Sequence, residues 1–385
     1  MTADGGPDDP IAVYVHWPYC ARICPYCDFN VVRDRGQAEQ AALAHAIIAD
    51  LRGQAALTGP RSLSSIFFGG GTPSLMRPDW VGEIVAAARA LWPAAAEPEI
   101  SLEANPTDAE ADRFAALAAA GVARLSLGLQ STDDAALKFL GRNHDAAEAL
   151  RAAQMAARVF ARLSIDLIYA RPGQTPAGWA NELRGAVDLG AEHVSPYQLT
   201  IEPGTAFDRA VGRGTIVPPG PDLGARLYET TQDVLAAAGF DAYEVSNHAR
   251  GAAARSRHNL AYWTGQDYVG VGPGAHGRLT LNNARIATEA ARRVGDYIAR
   301  VGETGVGFAE PETLADRDVA LERLLMGLRI DLGVPWPALA PLGLNGASPK
   351  VRKLADQGLL IAGPGRLSAT RSGRTVLDGI IRALV

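Results

Sequence analysis

All three cysteines of this 385-residue chain, Cys20, Cys24 and Cys27, fall in one run, Tyr-Val-His-Trp-Pro-Tyr-Cys-Ala-Arg-Ile-Cys-Pro-Tyr-Cys-Asp-Phe-Asn. A four-iron cubane is normally held by four thiolates, so a loop that supplies three leaves one iron open to a ligand from outside the chain. Three cysteines do not pair evenly into structural disulfides, and nothing else in the sequence marks a secreted protein. Zinc completed by His16 or Asp28 is an alternative, although zinc loops usually come as two separated Cys-x-x-Cys pairs. A reactive thiol pair is another, because Cys24-Pro-Tyr-Cys27 is itself a Cys-x-x-Cys. The spacing favours the iron–sulfur cluster.

Such a loop needs a scaffold, and the first half of the chain provides a regular one. Six β-like runs, at Ala12 to His16, Ser65 to Phe68, Glu99 to Glu103, Arg124 to Leu129, Ser164 to Ile168 and His193 to Leu199, alternate with helical patterns. The helical patterns lie around Glu39 to Leu51, Pro78 to Leu91, Ala109 to Ala119, Ala146 to Val159 and Pro176 to Leu189. Alternation of this kind predicts an α/β fold around a parallel sheet. Six units are fewer than the eight of a closed barrel, which points to an open, three-quarter (β/α)6 barrel. In parallel barrels the active face is built by the loops after the strands. There the chain places the cysteine run, Gly69-Gly70-Gly71-Thr72-Pro73, Glu103 and Gln130, while Asp166 lies within the fifth strand.

The expected boundaries are a flexible N-terminus over residues 1–10, the partial barrel over 11–205, a mixed Gly-rich covering region over 206–309, and a helical C-terminal domain over 310–385. In the last of these, a helix from Lys350, the run Gly358 to Ile361, the run Arg366 to Thr370 and a closing helix suggest a smaller α+β, winged-helix-like module. The acidic, Gly/Pro-rich residues 1–10 lack the pattern of a signal or transit peptide, and no apolar run approaches a membrane span, which predicts a cytoplasmic protein. A net charge of -5 argues against wholesale nucleic-acid binding. The tail from Ser348 is different, with seven basic residues against Asp356 and Asp378. It reads as a solvated face, a nucleic-acid surface, or a patch for anionic lipid or an acidic partner.

Glycines let backbone approach a ligand closely. After a strand that neighbours a cysteine knot, Gly70 and Gly71 can meet the polar head of a small ligand. Glu103, Gln130 and Asp166 add groups suited to hydroxyls and an amine. Ion-pairing at strand ends is the plainer use of the same residues.

Taken together, Tyr14-Val-His-Trp-Pro-Tyr-Cys, Gly69-Gly-Gly-Thr-Pro, Leu102-Glu-Ala-Asn-Pro, Gly121-Val-Ala-Arg-Leu-Ser-Leu-Gly-Leu-Gln-Ser, Leu140-Gly-Arg-Asn-His and Asp166-Leu-Ile-Tyr resemble the radical S-adenosylmethionine (SAM) superfamily, and within it the anaerobic coproporphyrinogen III oxidase group. The resemblance implies a [4Fe-4S] cluster on Cys20, Cys24 and Cys27, with SAM chelating the fourth iron. Carried over position by position, it implies SAM contacts at Tyr14, Tyr26, Gly70, Gly71, Thr72, Glu103, Gln130, Arg142 and Asp166.

Two departures separate the chain from the oxidases. They carry a further cysteine where this chain has Phe29, and an N-terminal extension where only nineteen residues precede Cys20. Cys27-Asp-Phe-Asn and the run Arg257-His258-Asn259-Leu260-Ala261-Tyr262-Trp263, leading into Asp267-Tyr-Val-Gly-Val-Gly-Pro-Gly-Ala-His276, instead resemble the related heme chaperone family, HemW. Imidazole is a common axial ligand to heme iron, so His258 is the first candidate for heme and His276 the second; a hydrogen-bonded structural role is the plainer reading of either. This resemblance implies a protein that binds heme, the cluster and SAM and passes heme to an acceptor protein. A membrane-bound respiratory enzyme is one such acceptor, which would bring transient membrane contact. The alternative is an enzyme, the oxidative decarboxylation of coproporphyrinogen III.

Overall fold

Apolar runs such as Ile11-Ala-Val and Leu125-Ser-Leu-Gly-Leu are buried on both faces, as strands of a parallel sheet covered by helices must be. The computed structural model describes residue 6, residues 8–34 and residues 36–385; most of the flexible N-terminus expected over residues 1–10 lies outside them. Six strands, β1 (Pro10–Trp17), β2 (Ser62–Gly70), β3 (Glu99–Ala104), β4 (Arg124–Gln130), β5 (Arg162–Tyr169) and β6 (His193–Gln198), lie parallel and in chain order. The larger helices between them are α1 (Gln37–Thr58), α2 (Pro78–Leu91), α3 (Phe114–Ala119), α4 (Ala146–Val159) and α5 (Pro176–Val187). Their starts follow local chemistry. Pro78 and Pro176 open α2 and α5, Thr175 accepts from the Gly178 N–H, and Asp145 accepts from the Glu148 N–H. Leu43, Ile47 and Leu51 repeat every fourth residue along α1 and are fully buried in the core.

The covering region does more than close the open side. It lengthens the sheet at both edges. Beyond β6 lie β7 (Asp241–Glu244) and β8 (Asn247–Ala249), antiparallel. After α6 (Pro221–Ala237) and α7 (Arg257–Thr264), the chain returns to the free side of β1 as β9 (Asp267–Val271), a seventh parallel strand. The antiparallel strands β10 (His276–Leu281), β11 (Ala284–Glu289) and β12 (Glu312–Thr313) follow, with α8 (Val294–Thr304) between the last two. The twelve-stranded order is β12-β11-β10-β9-β1-β2-β3-β4-β5-β6-β8-β7, and the sheet stays open.

After α9 (Asp316–Gly327), the strands β13 (Val334–Pro335), β14 (Leu360–Ala362) and β15 (Arg366–Ala369) form a small antiparallel sheet flanked by α10 (Pro349–Asp356) and α11 (Leu377–Leu384). Leu324, Val351, Leu367 and Ile380 belong to its separate core. Ion pairs fasten this module to the barrel, Arg278 with Glu322 at 2.8 Å and Arg255 with Asp331 at 2.6 Å. Of the basic tail, Arg371 pairs with Asp233, Arg374 donates to the Ala242 carbonyl and Lys350 to that of Leu384. Among the described residues no helix is long and apolar enough to cross a membrane.

Candidate cofactor site

The cysteine loop leaves the end of β1 and is pinned at its base by backbone bonds. Gly71 N–H donates to the Trp17 carbonyl at 2.7 Å, Thr72 N–H to that of Tyr19 at 2.9 Å, and Val32 N–H to that of Pro18 at 2.8 Å. Both glycines of this contact are required by space. Gly70 has φ 106°, and a Cβ there would stand 2.5 Å from His16 Cε1; one on Gly71 would stand 2.7 Å from the Pro18 carbonyl carbon.

Cys20, Cys24 and Cys27 are free thiols around one cavity of about 670 Å³. Tyr14, Tyr26, Gly70, Gly71, Thr72, Glu103, Gln130, Arg142, Asp166 and His258 line the same cavity, so of the expected site residues only His276 lies outside it. Among the described residues, no three cysteine, histidine or acidic side chains converge tightly enough to hold one metal ion. Thiolates that each bind a different iron of a cubane need not converge on a point. Thr72 Oγ1 donates to Cys20 Sγ at 3.6 Å and Arg142 Nη1 to Cys24 Sγ at 3.4 Å. Burial pushes the Cys20 thiol up and that of Cys27 up to about 11, so ligation at neutral pH releases protons.

Arg142 is more occupied than its expected role suggests. It also donates to Tyr26 Oη at 3.5 Å, Asn105 Oδ1 at 2.5 Å and the Gly128 carbonyl at 3.1 Å. It ties the cysteine loop to the ends of β3 and β4. Asn105, which also donates to Thr72 Oγ1 at 3.2 Å, completes this network and was not among the residues expected from the sequence. Its signal lay in Leu102-Glu-Ala-Asn-Pro, where it follows Glu103 by two positions.

Glu103 accepts from the Gly70 N–H at 3.3 Å, and burial, with the nearby Asp166 carboxylate, pushes its carboxyl up to about 8. Asp166 accepts from Ser126 Oγ at 2.8 Å, and burial raises it too. Between them in sequence stands Arg124, 2% exposed and lining the cavity, with no ion pair among the described residues. It too was missed, because an arginine at the start of a strand reads as solvated. Gln130, which lines the cavity, holds φ 64°, a conformation costing on the order of 1–3 kcal/mol for a non-glycine residue, and its buried Oε1 has no partner among the described residues. A buried acceptor without a donor suits a ligand that brings one.

The two histidines sit in different surroundings, with Tyr262, the partner of His258, also lining the cavity that holds His276. Ser256 caps α7, and Glu99, the first residue of β3, accepts from the N–H groups of Arg257 at 2.9 Å and His258 at 3.3 Å. The helix therefore closes the barrel from the N-terminal ends of its strands, away from the cysteine loop. His258 is 1% exposed, with Nδ1 3.0 Å from Ser65 Oγ and Nε2 2.8 Å from Tyr262 Oη. Ligation by either nitrogen would break one of these bonds. Burial, then the Arg124 charge, pushes its pKa down to about 3. His276 instead opens β10 directly after the turn from β9, on the face of the cysteine loop, and is exposed. It lines a second cavity of about 440 Å³, which shares Tyr14, Phe29, Gly70, Glu103 and Tyr262 with the first.

The Radical SAM superfamily profile matches residues 14–184, and that of the HemN C-terminal domain residues 314–376. The heme chaperone HemW of Mycobacterium tuberculosis is 35% identical over 98% of this chain and 96% of its own length, and that of Escherichia coli is 40% identical over 72% of each. The chain belongs to the HemW family. Its kinship within the radical SAM superfamily extends to the mitochondrial radical S-adenosyl methionine domain-containing protein 1 of Bos taurus, 41% identical over 99% of this chain and 90% of that one. In structure, the coproporphyrinogen III oxidase HemN of Escherichia coli superposes with a TM-score of 0.80 over 98% of this chain and 91% of that one, at 22% identity, a likeness of fold. For a HemW-family member the cavity chemistry fits the cofactors that the superfamily implies: three free thiols at its rim, carboxyls and backbone beside them, and the unpaired Gln130 Oε1 within.

Proposed function

We propose that this protein is a heme carrier: it binds a [4Fe-4S] cluster on Cys20, Cys24 and Cys27, SAM beside it and heme, and passes heme to an acceptor protein. The supporting observation is the junction of the two cavities. The one that gathers the thiols opens, past the 61%-exposed Phe29, onto one walled by Tyr262, Trp263 and Tyr268 and lined by arginines. The HemW relatives are named heme chaperones, which supports the same cargo.

When bound, a reduced cluster with SAM supplies one-electron cleavage of the sulfonium. The residues of this chain bind and orient. Glu103 and Asp166 accept from the amine and ribose hydroxyls of SAM, Gln130 Oε1 takes a donor, and Arg142 steadies the loop on which Cys24 stands. A reducing compartment such as the cytoplasm keeps the thiols available. The four basic side chains of the tail that make no hydrogen bond or ion pair among the described residues, Arg352, Lys353, Arg366 and Arg382, form a solvated or acceptor-facing surface, and transient membrane contact would fall there.

The test is anaerobic reconstitution of the cluster, followed by hemin in one sample and coproporphyrinogen III with SAM and a reductant in another. Stoichiometric hemin binding without porphyrinogen turnover is expected. Conversion to protoporphyrinogen would replace the carrier with an oxidase.

A further inference from the structure

We propose that the heme docks in the second cavity, with His276 as its axial ligand and Arg323 holding a propionate, and that His258 is structural; this rests on the carrier reading above. A metalloporphyrin is a flat apolar plate with an electron-accepting metal at its centre and two carboxylates on one edge, and the cavity offers a partner to each part. Tyr262, Trp263, Tyr268, Phe29 and Met326 supply aromatic and soft apolar surface. His276 is the only imidazole in the lining without a hydrogen-bond partner among the described residues, since His16 is held between Tyr14 Oη at 3.0 Å and the Asn30 carbonyl at 2.8 Å. An imidazole whose ring nitrogens are not engaged by the protein can offer a lone pair to iron. Coordination displaces a weakly held axial ligand and leaves the oxidation state unchanged.

The charge is arranged for the opposite edge. Four arginines line the cavity against two acids, Glu103 and Glu322. Arg278 is committed to Glu322, and Arg285 to Asp267. Among the described residues Arg323 has no ion pair, and its buried Nη1 has no partner. Gly265, in the left-handed region at φ 69°, leaves room for that guanidinium; a Cβ there would stand 2.0 Å from Nη1. Burial and the neighbouring Arg285 lower the Arg323 pKa, which is the cost a bound carboxylate relieves. Arg323 sits on α9 of the C-terminal module and His276 on the sheet, so a bound heme would bridge the two. The site also abuts the cluster loop, for Asn30 donates to the Pro273 carbonyl at 2.8 Å and to that of Arg292 at 2.9 Å.

The full-length chain with its reconstituted cluster is titrated with hemin and with hemin dimethyl ester, which lacks free carboxylates, following the Soret band. The native chain should give a saturable, histidine-ligated band. His276→Ala should move the band and weaken binding, while Arg323→Gln should weaken hemin by about tenfold, the scale of one lost charge-assisted hydrogen bond, and leave the ester unaffected. Iron–sulfur absorbance and the melting transition of both variants report that the fold is intact. Hemin binding that both variants leave unchanged would overturn this placement and leave the carrier reading standing. Failure of the native chain to bind hemin at all would overturn the carrier reading itself.

Discussion

The two cavities share a wall but are built in opposite ways. The first is made of thiols, glycine backbone and carboxyls at the strand ends of successive βα units; the second gathers arginines and aromatic rings from α7, α9 and the β9–β11 meander. The first suits a small polar ligand that carries an amine and hydroxyls. The second suits a flat anion. Each unit of the barrel contributes its own short motif to the first cavity, whereas Tyr14, Tyr262, His276 and Arg323 meet in the second only because β9 returns to lie beside β1.

The largest effect that can break this division is loss of the cluster. Cys24→Ala should abolish the iron–sulfur absorbance on reconstitution, because one iron loses its thiolate and Arg142 Nη1 its sulfur partner. Hemin affinity should change by less than about tenfold, a difference of about 1.4 kcal/mol, if the two cavities bind separately. A collapse of hemin binding in the same variant, with the melting transition unmoved, would show that they act as one site through the Phe29–Asn30 segment.

That division also explains what the sequence makes legible. The cysteine run, Gly70, Glu103, Gln130 and Arg142 could be placed on one face because βα alternation fixes where a strand ends, and the six expected strands fold as such. Asp267-Tyr-Val-Gly-Val could not be placed by the same logic. Its pattern allows a strand, but nothing local says that it crosses back past β6 to β2 to reach β1. The His258 motif was visible, but its burial against Ser65 was not, since that contact spans 193 positions. Arg323 escaped notice because an isolated arginine carries no periodic or motif signal; Arg124 stands inside a quoted motif, but at the start of a strand it reads as solvated.

A middle-sized effect sharpens the first cavity. Glu103→Gln should weaken SAM by roughly tenfold to a hundredfold, the worth of about 1.5–3 kcal/mol for a hydrogen bond to a charged amine, measured by equilibrium dialysis on the clustered chain. It should also change the pH dependence of the cofactor-free protein. The folded carboxyl is pushed up to about 8 from an ordinary value near 4.5, so between these pH values the native state binds the extra proton. Stability contributed by Glu103 is therefore present below the lower value and is lost as pH rises through the upper one. Melting curves across that window should show a shallower decline in the glutamine variant. An identical slope would mean that Glu103 is solvated in the native protein.

The smallest effect separates the histidines. His258→Ala leaves Ser65 Oγ and Tyr262 Oη without their ring partner, at a cost of about 1–3 kcal/mol in a buried setting. The native protein should in turn be acid-labile through this ring. Its folded pKa lies at about 3, below the ordinary 6.5, so the unfolded chain binds the proton first and stability falls as pH drops through that interval. Part of this acid sensitivity should vanish in His258→Ala, with His16, His144, His193 and His248, whose pKa values burial also lowers, retaining the rest. The hemin band should keep its position, because the ring that meets iron is on the other face. A band that moves in His258→Ala and stays fixed in His276→Ala would reverse the assignment and place heme inside the barrel, on the cavity that holds the thiols.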